Sequence, residues 1–443
     1  MKPPRPSKVR LPRIPKPPVP RFPEEPPPGP TRPSFWRSPL RGPWLTSILG
    51  SALLPLILIC AVTGFLSQAA YNPNLGHNSL LPGGGIGVSI YFFHWPTSPS
   101  WLYAFTQGLH VISGLAATPI LLAKLWSVMP KLFEWPPIRG AAHALERLSL
   151  ALLVGGSVFV FGTGLLNIQV FYPWPFRFLT AHYYGAFVFL AAFGLHIFLK
   201  IPVALRTFRE RGVLRPLRPG LADTVAEPYE EGHVAPLEPA RPTISRRALL
   251  GTVGAASLGV AFMGFAQTVG GPLRGVGLLT PRSTQLSHGP NGFQINKTAA
   301  AVGIGPEQTG AAWRLRIEGA AKRELSREQL LAMPQYSYDL PIACVEGWST
   351  TQRWTGVRLR DLAALAGVDG DAELQVESLQ KAGALREVTL SSGQVAAENS
   401  LLALKVNGED LSLDHGFPAR VMVPGAPGVH QTKWVATMKF EAA

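Results

Sequence analysis

FLTAHYYGAFVFLAAFGLHIFLK, residues 178–200, is an apolar run long enough to cross a bilayer, yet it contains two histidines. Imidazole is seldom placed in a membrane helix without a task. His182 and His196 are 14 residues apart, close to four helical turns, so both face one way, about 21 Å apart along the axis. Apolar stretches at about 44–66, 101–126 and 148–170 precede it, and the second holds His110. The predicted architecture of this part is an all-α transmembrane bundle.

The connections sort by charge. The segment before residue 44 is basic, the 67–100 loop carries no charge, and the 127–147 loop carries Lys131, Arg139 and Arg147. The 171–177 loop has only Arg177, whereas Lys200, Arg206, Arg209, Arg211, Arg215 and Arg218 follow the fourth stretch. The positive-inside rule puts the N-terminus, the 127–147 loop and the segment after 200 in the cytoplasm. Depth then pairs the histidines. His110 lies 14 residues from Lys124, His182 lies 18 from Lys200 and His196 only four from it. At 1.5 Å per residue, His110 and His182 differ in depth by about 6 Å, His110 and His196 by about 15 Å. His182 is therefore the better partner of His110.

Composition agrees with a chain partly in lipid. Of 443 residues, 47% are hydrophobic and 15% charged, against about a quarter charged in soluble domains. The +14 net charge does not indicate nucleic acid, because the basic residues gather in tail and loops rather than on a folded patch. Two cysteines exclude a disulfide-rich scaffold, a four-cysteine zinc site and an all-cysteine iron–sulfur cluster. Residues 1–43 hold 16 of the 43 prolines and ten Lys/Arg, and are expected to be a disordered cytosolic tail.

A fifth, Gly- and Ala-rich apolar stretch, 248–265, follows TISRRALL at 243–250. Adjacent Arg246 and Arg247 before a mildly apolar run resemble a twin-arginine export signal. The residues after 266 are a poor cleavage site, so the segment is expected to stay as an anchor.

Two stacked levels of histidine in a four-helix bundle resemble the b-type cytochromes that serve membrane-bound hydrogenases and formate dehydrogenases. The resemblance implies haem b, one or two, with His110, His182 and His196 as iron ligands. In that family a histidine early in the first helix completes the inner site; here Leu45 and Thr46 stand there. His77 and His94 belong to the outer loop.

From about residue 287 the pattern becomes that of a soluble, mostly β α+β domain. Strands are expected at 313–317 and 420–424, and short helices at 326–332 and 359–366. Cys344 opens Cys344-Val345-Glu346-Gly347-Trp348-Ser349. Asn296, Trp354-Thr355-Gly356, Glu377-Ser378, Asn407-Gly408, His415-Gly416-Phe417-Pro418-Ala419-Arg420 and Lys433-Trp434 follow the same framework. In that order they resemble the molybdopterin-binding domain of the sulfite oxidase superfamily. The motif is most similar to the catalytic subunit of periplasmic methionine-sulfoxide reductases, which has asparagine where His415 stands. The resemblance implies a molybdenum–molybdopterin cofactor, with Cys344 as catalytic molybdenum thiolate and Asn296, Ser378, His415, Arg420 and Lys433 as cofactor-binding residues. A soft thiolate suits a metal that cycles between oxidation states.

The expected layout is therefore tail 1–43, four-helix cytochrome 44–208, cytosolic linker 209–244, fifth segment 245–270, linker 271–286 and molybdopterin domain 287–443. The expected protein is a multi-pass enzyme of the bacterial cytoplasmic membrane with its C-terminal domain outside. Quinone or quinol and an S-oxide are its expected partners. Two alternatives are a sulfite-type dehydrogenase sending electrons inward, and an inactive electron-transfer or partner-binding protein.

Overall fold

The computed structural model describes residues 22–71, 93–230, 234–284, 291–383 and 386–443. The first 21 residues of the tail and the outer-loop His77 lie outside the described residues.

Among the described residues five helices are long and apolar enough to cross a membrane: α1 (Pro43–Ala70), α2 (Leu102–Leu132), α3 (Ala141–Ile168), α4 (Phe178–Arg211) and α5 (Arg246–Val269). The shortest has 24 residues, about 36 Å at 1.5 Å per residue, more than the roughly 30 Å of hydrocarbon. Helix α2 packs against both α1 and α5, and α3 against α4. It has the lowest mean hydropathy of the five, 1.6, and is the most buried. The two properties have one cause. A helix facing other helices uses small and polar residues where lipid-facing helices use bulky ones. Gly108, Ser113, Ala116 and Ala117 are buried on α2, and Ser257 of α5 donates to the Ala116 carbonyl at 2.6 Å. Leu58, Val62, Phe198 and Leu258 point outward.

Residues 22–43 differ from the disorder expected of them. They fold back on the end of the bundle that carries Lys131. Phe22 lies 5.5 Å from Trp135 and Trp36 lies 5.9 Å from Phe133, while the Arg41 guanidinium sits 4.3 Å over Trp126. Their aromatic residues supply apolar area that the proline and arginine content conceals. The segment read as a cytosolic linker is also tied down. Helix α4 continues to Arg211, which pairs with the buried Glu227 at 3.0 Å, and Glu227 accepts from the Trp44 backbone N–H. Arg246 is buried too, donating to the carbonyls of Val225 and Pro39.

The C-terminal domain has ten strands: β1 (Leu315–Glu318), β2 (Arg323–Leu325), β3 (Tyr336–Ala343), β4 (Ser349–Arg358), β5 (Ala372–Ser378), β6 (Glu387–Leu390), β7 (Leu401–Val406), β8 (Glu409–Asp410), β9 (Arg420–Met422) and β10 (Val435–Ala442). They form two five-stranded sheets. One runs β2-β1-β10-β5-β6, with β1 and β10 parallel, and the other runs β3-β4-β7-β8 with β9 also on β7. Alternate residues of β5 point inward, Leu374 and Val376 meeting Ile317, Met438 and Phe440 in one core. Leu340, Ile342, Trp354, Leu401 and Met422 make the other, and Cys344 belongs to it. The short helices are Arg327–Ala332, opened by a reciprocal Ser326–Gln329 cap, and Leu359–Leu365.

Candidate functional site

Strands β3 and β4 pair from Tyr336–Gly356 up to Ala343–Ser349, so residues 344–348 form the hairpin turn. The turn closes on itself: Gly347 N–H donates to the Cys344 carbonyl at 2.9 Å, and Cys344 N–H to that of Trp348 at 3.0 Å. Cys344 is thereby buried beside Phe293, Trp348 and Trp354. Burial pushes its thiol up, and the neighbouring Glu346 carboxylate pushes the same way. Glu346 is itself buried, pairs with Arg282 and accepts from the Trp348 indole N–H at 2.7 Å. Burial raises Glu346, and Arg282 opposes that shift.

Two of the expected cofactor-binding residues, His415 and Arg420, meet the same aromatic wall. His415 lies 3.8 Å from Phe293, ring to ring, and the Arg420 guanidinium is 5.3 Å from the Trp354 ring. His415 Nδ1 is bonded to Ser412 Oγ at 2.8 Å, while its Nε2 has no partner. Arg420 is 2% exposed, and one terminal nitrogen donates to the His415 carbonyl at 3.2 Å. Its Nε and other terminal nitrogen have no partner among the described residues. Burial lowers Arg420 to about 9, with no carboxylate to offset it, and lowers His415 to about 3 with help from Arg420 and Lys433. Lys433, lowered well below its usual range by burial, donates to the carbonyls of Lys297 and Asp414. Ser378 Oγ donates to the Lys433 carbonyl at 2.8 Å. Asn296 is half-buried, two residues after Gln294, whose buried Oε1 is unpartnered.

A buried guanidinium without a counter-charge is costly, and orphaned donors beside it are rare in native proteins. The chemistry fits a phosphate-bearing, hydrogen-bonding ligand. Arg420, His415 and Lys433 can meet its anionic groups, and Cys344 can supply a metal with one thiolate.

The sequence reading missed four residues here. Arg282 stands in the 271–286 segment read as linker, and the acidic residue in the Cys344 motif was the only signal that a cation was needed. Glu346 itself was quoted but given no role. His430 is fully buried with both ring nitrogens unpartnered, lowered to about 3 by burial, and meets Tyr71 of the α1 end edge-on at 5.3 Å. Gln107 of α2 donates to the Val345 carbonyl at 2.6 Å.

Below this turn, residues of α1, α2, α3 and α4 line a cavity of about 160 Å³. His110 and His182 line it, with ring centroids 6.2 Å apart and planes at 85°. His110 Nδ1 is 2.8 Å from the Cys60 carbonyl, so that nitrogen carries the proton. Thr163 Oγ1 gives its proton to the Phe159 carbonyl and accepts from His182 Nδ1 at 3.2 Å. Both rings are thus held by Nδ1, the arrangement that orients an imidazole for ligation through Nε2. Metal–nitrogen bonds of about 2.0–2.1 Å, with roughly 1 Å from nitrogen to ring centre, mean that two imidazoles sharing one metal would stand about 6 Å apart. A Cβ on Gly64 would stand 2.9 Å from the His110 ring, so glycine leaves that ring its space. His110 and His182 could therefore hold one metal ion between them. His196 does not line this space; its charged neighbours are Lys124 and Lys200. Among the described residues no group of three or more His, Cys, Asp or Glu could hold a further metal ion.

Comparison with known proteins bears on the C-terminal part. Residues 303–443 match the family model described as "oxidoreductase molybdopterin binding domain". The "uncharacterized oxidoreductase YuiH" of Bacillus subtilis is 34% identical over 131 residues, 29% of this chain and 65% of that protein. Mitochondrial sulfite oxidase of Mus musculus is 31% identical over 161 residues, 29% of each. The solved sulfane dehydrogenase SoxCD of Paracoccus pantotrophus aligns at 25% identity and a TM-score of 0.28, over 30% of this chain and 39% of that one. The chain thus spans less than two thirds of each of these relatives. Residues 303–443 of this chain, with Cys344 at their buried hairpin turn, are an oxidoreductase molybdopterin-binding domain of the sulfite oxidase superfamily.

Proposed function

We propose that the chain is a membrane-bound oxidoreductase in which a molybdopterin site reduces an S-oxide with electrons drawn from quinol through a b haem. The observation that carries this reading is the position of one turn. Cys344 shares a core with Phe293 and Trp354, the two rings that His415 and Arg420 meet, and Val345, the next residue, lines the space beside His110 and His182. When bound, the molybdenum cofactor supplies oxygen-atom exchange and the haem supplies one-electron carriage.

The chain's own groups divide the remaining tasks. Cys344 holds the metal as thiolate. Arg420, His415 and Lys433 neutralise the cofactor's anionic end, and Ser378 braces the Lys433 backbone. His110 and His182 offer Nε2 from opposite sides of one cavity. Reducing an S-oxide to a sulfide takes two electrons and two protons and releases water, so protons must reach the site from outside the membrane helices. With the basic loops inside, the C-terminal domain and the 93–100 segment lie on the extracytoplasmic face of a bacterial cytoplasmic membrane, delivered there through Arg246 and Arg247.

A sulfite-type dehydrogenase, with electrons running inward, is the second reading. His415 favours it, because the sulfoxide reductases that this motif resembles have asparagine there, and sulfite oxidases are among the named relatives.

Elemental analysis with a reduced-minus-oxidised spectrum of the purified chain tests the cofactor assignment: one molybdenum and at least one low-spin b haem are expected. Sulfoxide reduction by a reduced dye, against sulfite oxidation by ferricyanide, decides the direction. A protein with neither metal overturns the reading.

A further inference from the structure

The turn that holds Cys344 is fastened to the membrane helices from two sides. Gln107 of α2, one helical turn before His110, donates to the Val345 carbonyl at 2.6 Å and accepts from Ser67 of α1 at 2.6 Å. Thr268 of α5 donates to the Gly347 carbonyl at 2.7 Å, and its own carbonyl accepts from Ser349 Oγ. Gly347 has φ +92°, and a Cβ there would stand 2.8 Å from the Val111 side chain, so the backbone lies directly on α2. Farther along the same contact, Trp95 donates to the Gly425 carbonyl at 2.7 Å, and Gly425 N–H donates to that of Ser100 at 3.1 Å.

We propose that Gln107 and Thr268 are positioning residues that fix the Cys344–Gly347 turn on the histidine cavity, so that electron exchange between the two sites needs no movement of the domain. The inference rests on the proposed haem and molybdenum sites. Each transfer takes one electron from the histidine-held centre and adds one to the thiolate-held centre, and the clamp itself undergoes no bond or proton change. Association of mobile redox domains is slowed by solvent friction; a pre-docked pair is not. The linkage also joins the two sites through Val345, which lines the cavity and whose carbonyl is held in the clamp.

The test uses the full chain in detergent micelles. Hydrogen exchange of the 344–348 amides in cofactor-free protein should rise roughly fivefold to tenfold in Gln107→Met and in Thr268→Val, the change expected for losing one buried neutral hydrogen bond. Thr268→Ser keeps the hydroxyl and should stay within about twofold of wild type. In loaded protein, flash reduction of the haem by a flavin photoreductant should be followed by reoxidation at a rate independent of glycerol viscosity. In Gln107→Met that rate should fall and become viscosity-dependent, with haem and molybdenum contents unchanged. Wild-type reoxidation that slows in proportion to viscosity overturns the proposal. So does exchange of the 344–348 amides that is unchanged in both variants of the cofactor-free protein. A preparation without haem removes the underlying reading and this inference together, which separates the two failures.

Discussion

Replacing Arg420 by methionine should make the cofactor-free domain more stable and the loaded domain impossible to assemble. The side chain is 2% exposed, and burial lowers it from the ordinary guanidinium range to about 9. At about 1.36 kcal/mol per tenfold, that is roughly 5 kcal/mol of disfavoured charge. Methionine removes the penalty and fills much of the space. Against this stand the bond to the His415 carbonyl, whose loss costs about 1–3 kcal/mol, and the contact with Trp354, about 1 kcal/mol. The net expectation is a gain of about 1–3 kcal/mol, or roughly 2–12 °C in melting temperature for a domain of this size. Because a base held low in the folded state carries its penalty below pH of about 9 and sheds it as pH rises above that, wild type should gain on the variant as pH rises from 8 to 10.5. The assay is thermal unfolding of full-length chain from cells that cannot make molybdopterin, followed by molybdenum content from cells that can. A cofactor-free variant several degrees less stable than wild type, or a difference that does not change with pH, would mean the guanidinium is already balanced within the protein. The argument for an anionic ligand would then fail.

Cys344→Ser should lose molybdenum and turnover yet melt within a few degrees of wild type, since Glu346 stands beside it to bond the new hydroxyl; full specific activity in that variant would end the molybdenum-thiolate assignment. His110→Ala and His182→Ala should each abolish the low-spin b signal without preventing membrane insertion, and an unchanged spectrum in both removes the pair; His196→Ala counts centres, half the haem lost meaning two and none lost meaning one. Changing Arg246 and Arg247 together to lysine should strand the C-terminal domain inside while the first four helices still insert, which protease added from outside would reveal by sparing the domain.

The helices and the approach of His110 to His182 were legible because both follow from a fixed rise per residue and from charges that mark the membrane edge. Cys344 and Arg420 stood out in the sequence because each belongs to a short motif of its own, residues 344–349 and 415–420, and the structure buries both. What joins the two halves was not. Gln107, Thr268 and Val345 carry no local pattern that says which face of a β domain will settle on which turn of a helix. Arg282 was overlooked because a short Pro- and Gly-punctuated segment reads as linker, although the buried Glu346 needed a cation from somewhere. The tail misled for the opposite reason: proline and arginine dominate its average, while four aromatic contacts decide its fold.

Arg246 carries a consequence for the order of events during biogenesis. In the finished protein its guanidinium is sunk between the carbonyls of Val225 and Pro39, while Arg247 beside it is exposed. An export receptor that reads both arginines must therefore do so before this corner closes. On the proposed export route, closure would hide one of the two arginines, so a molecule that had delivered its domain would no longer compete for the receptor, and one that closed early would be lost to export.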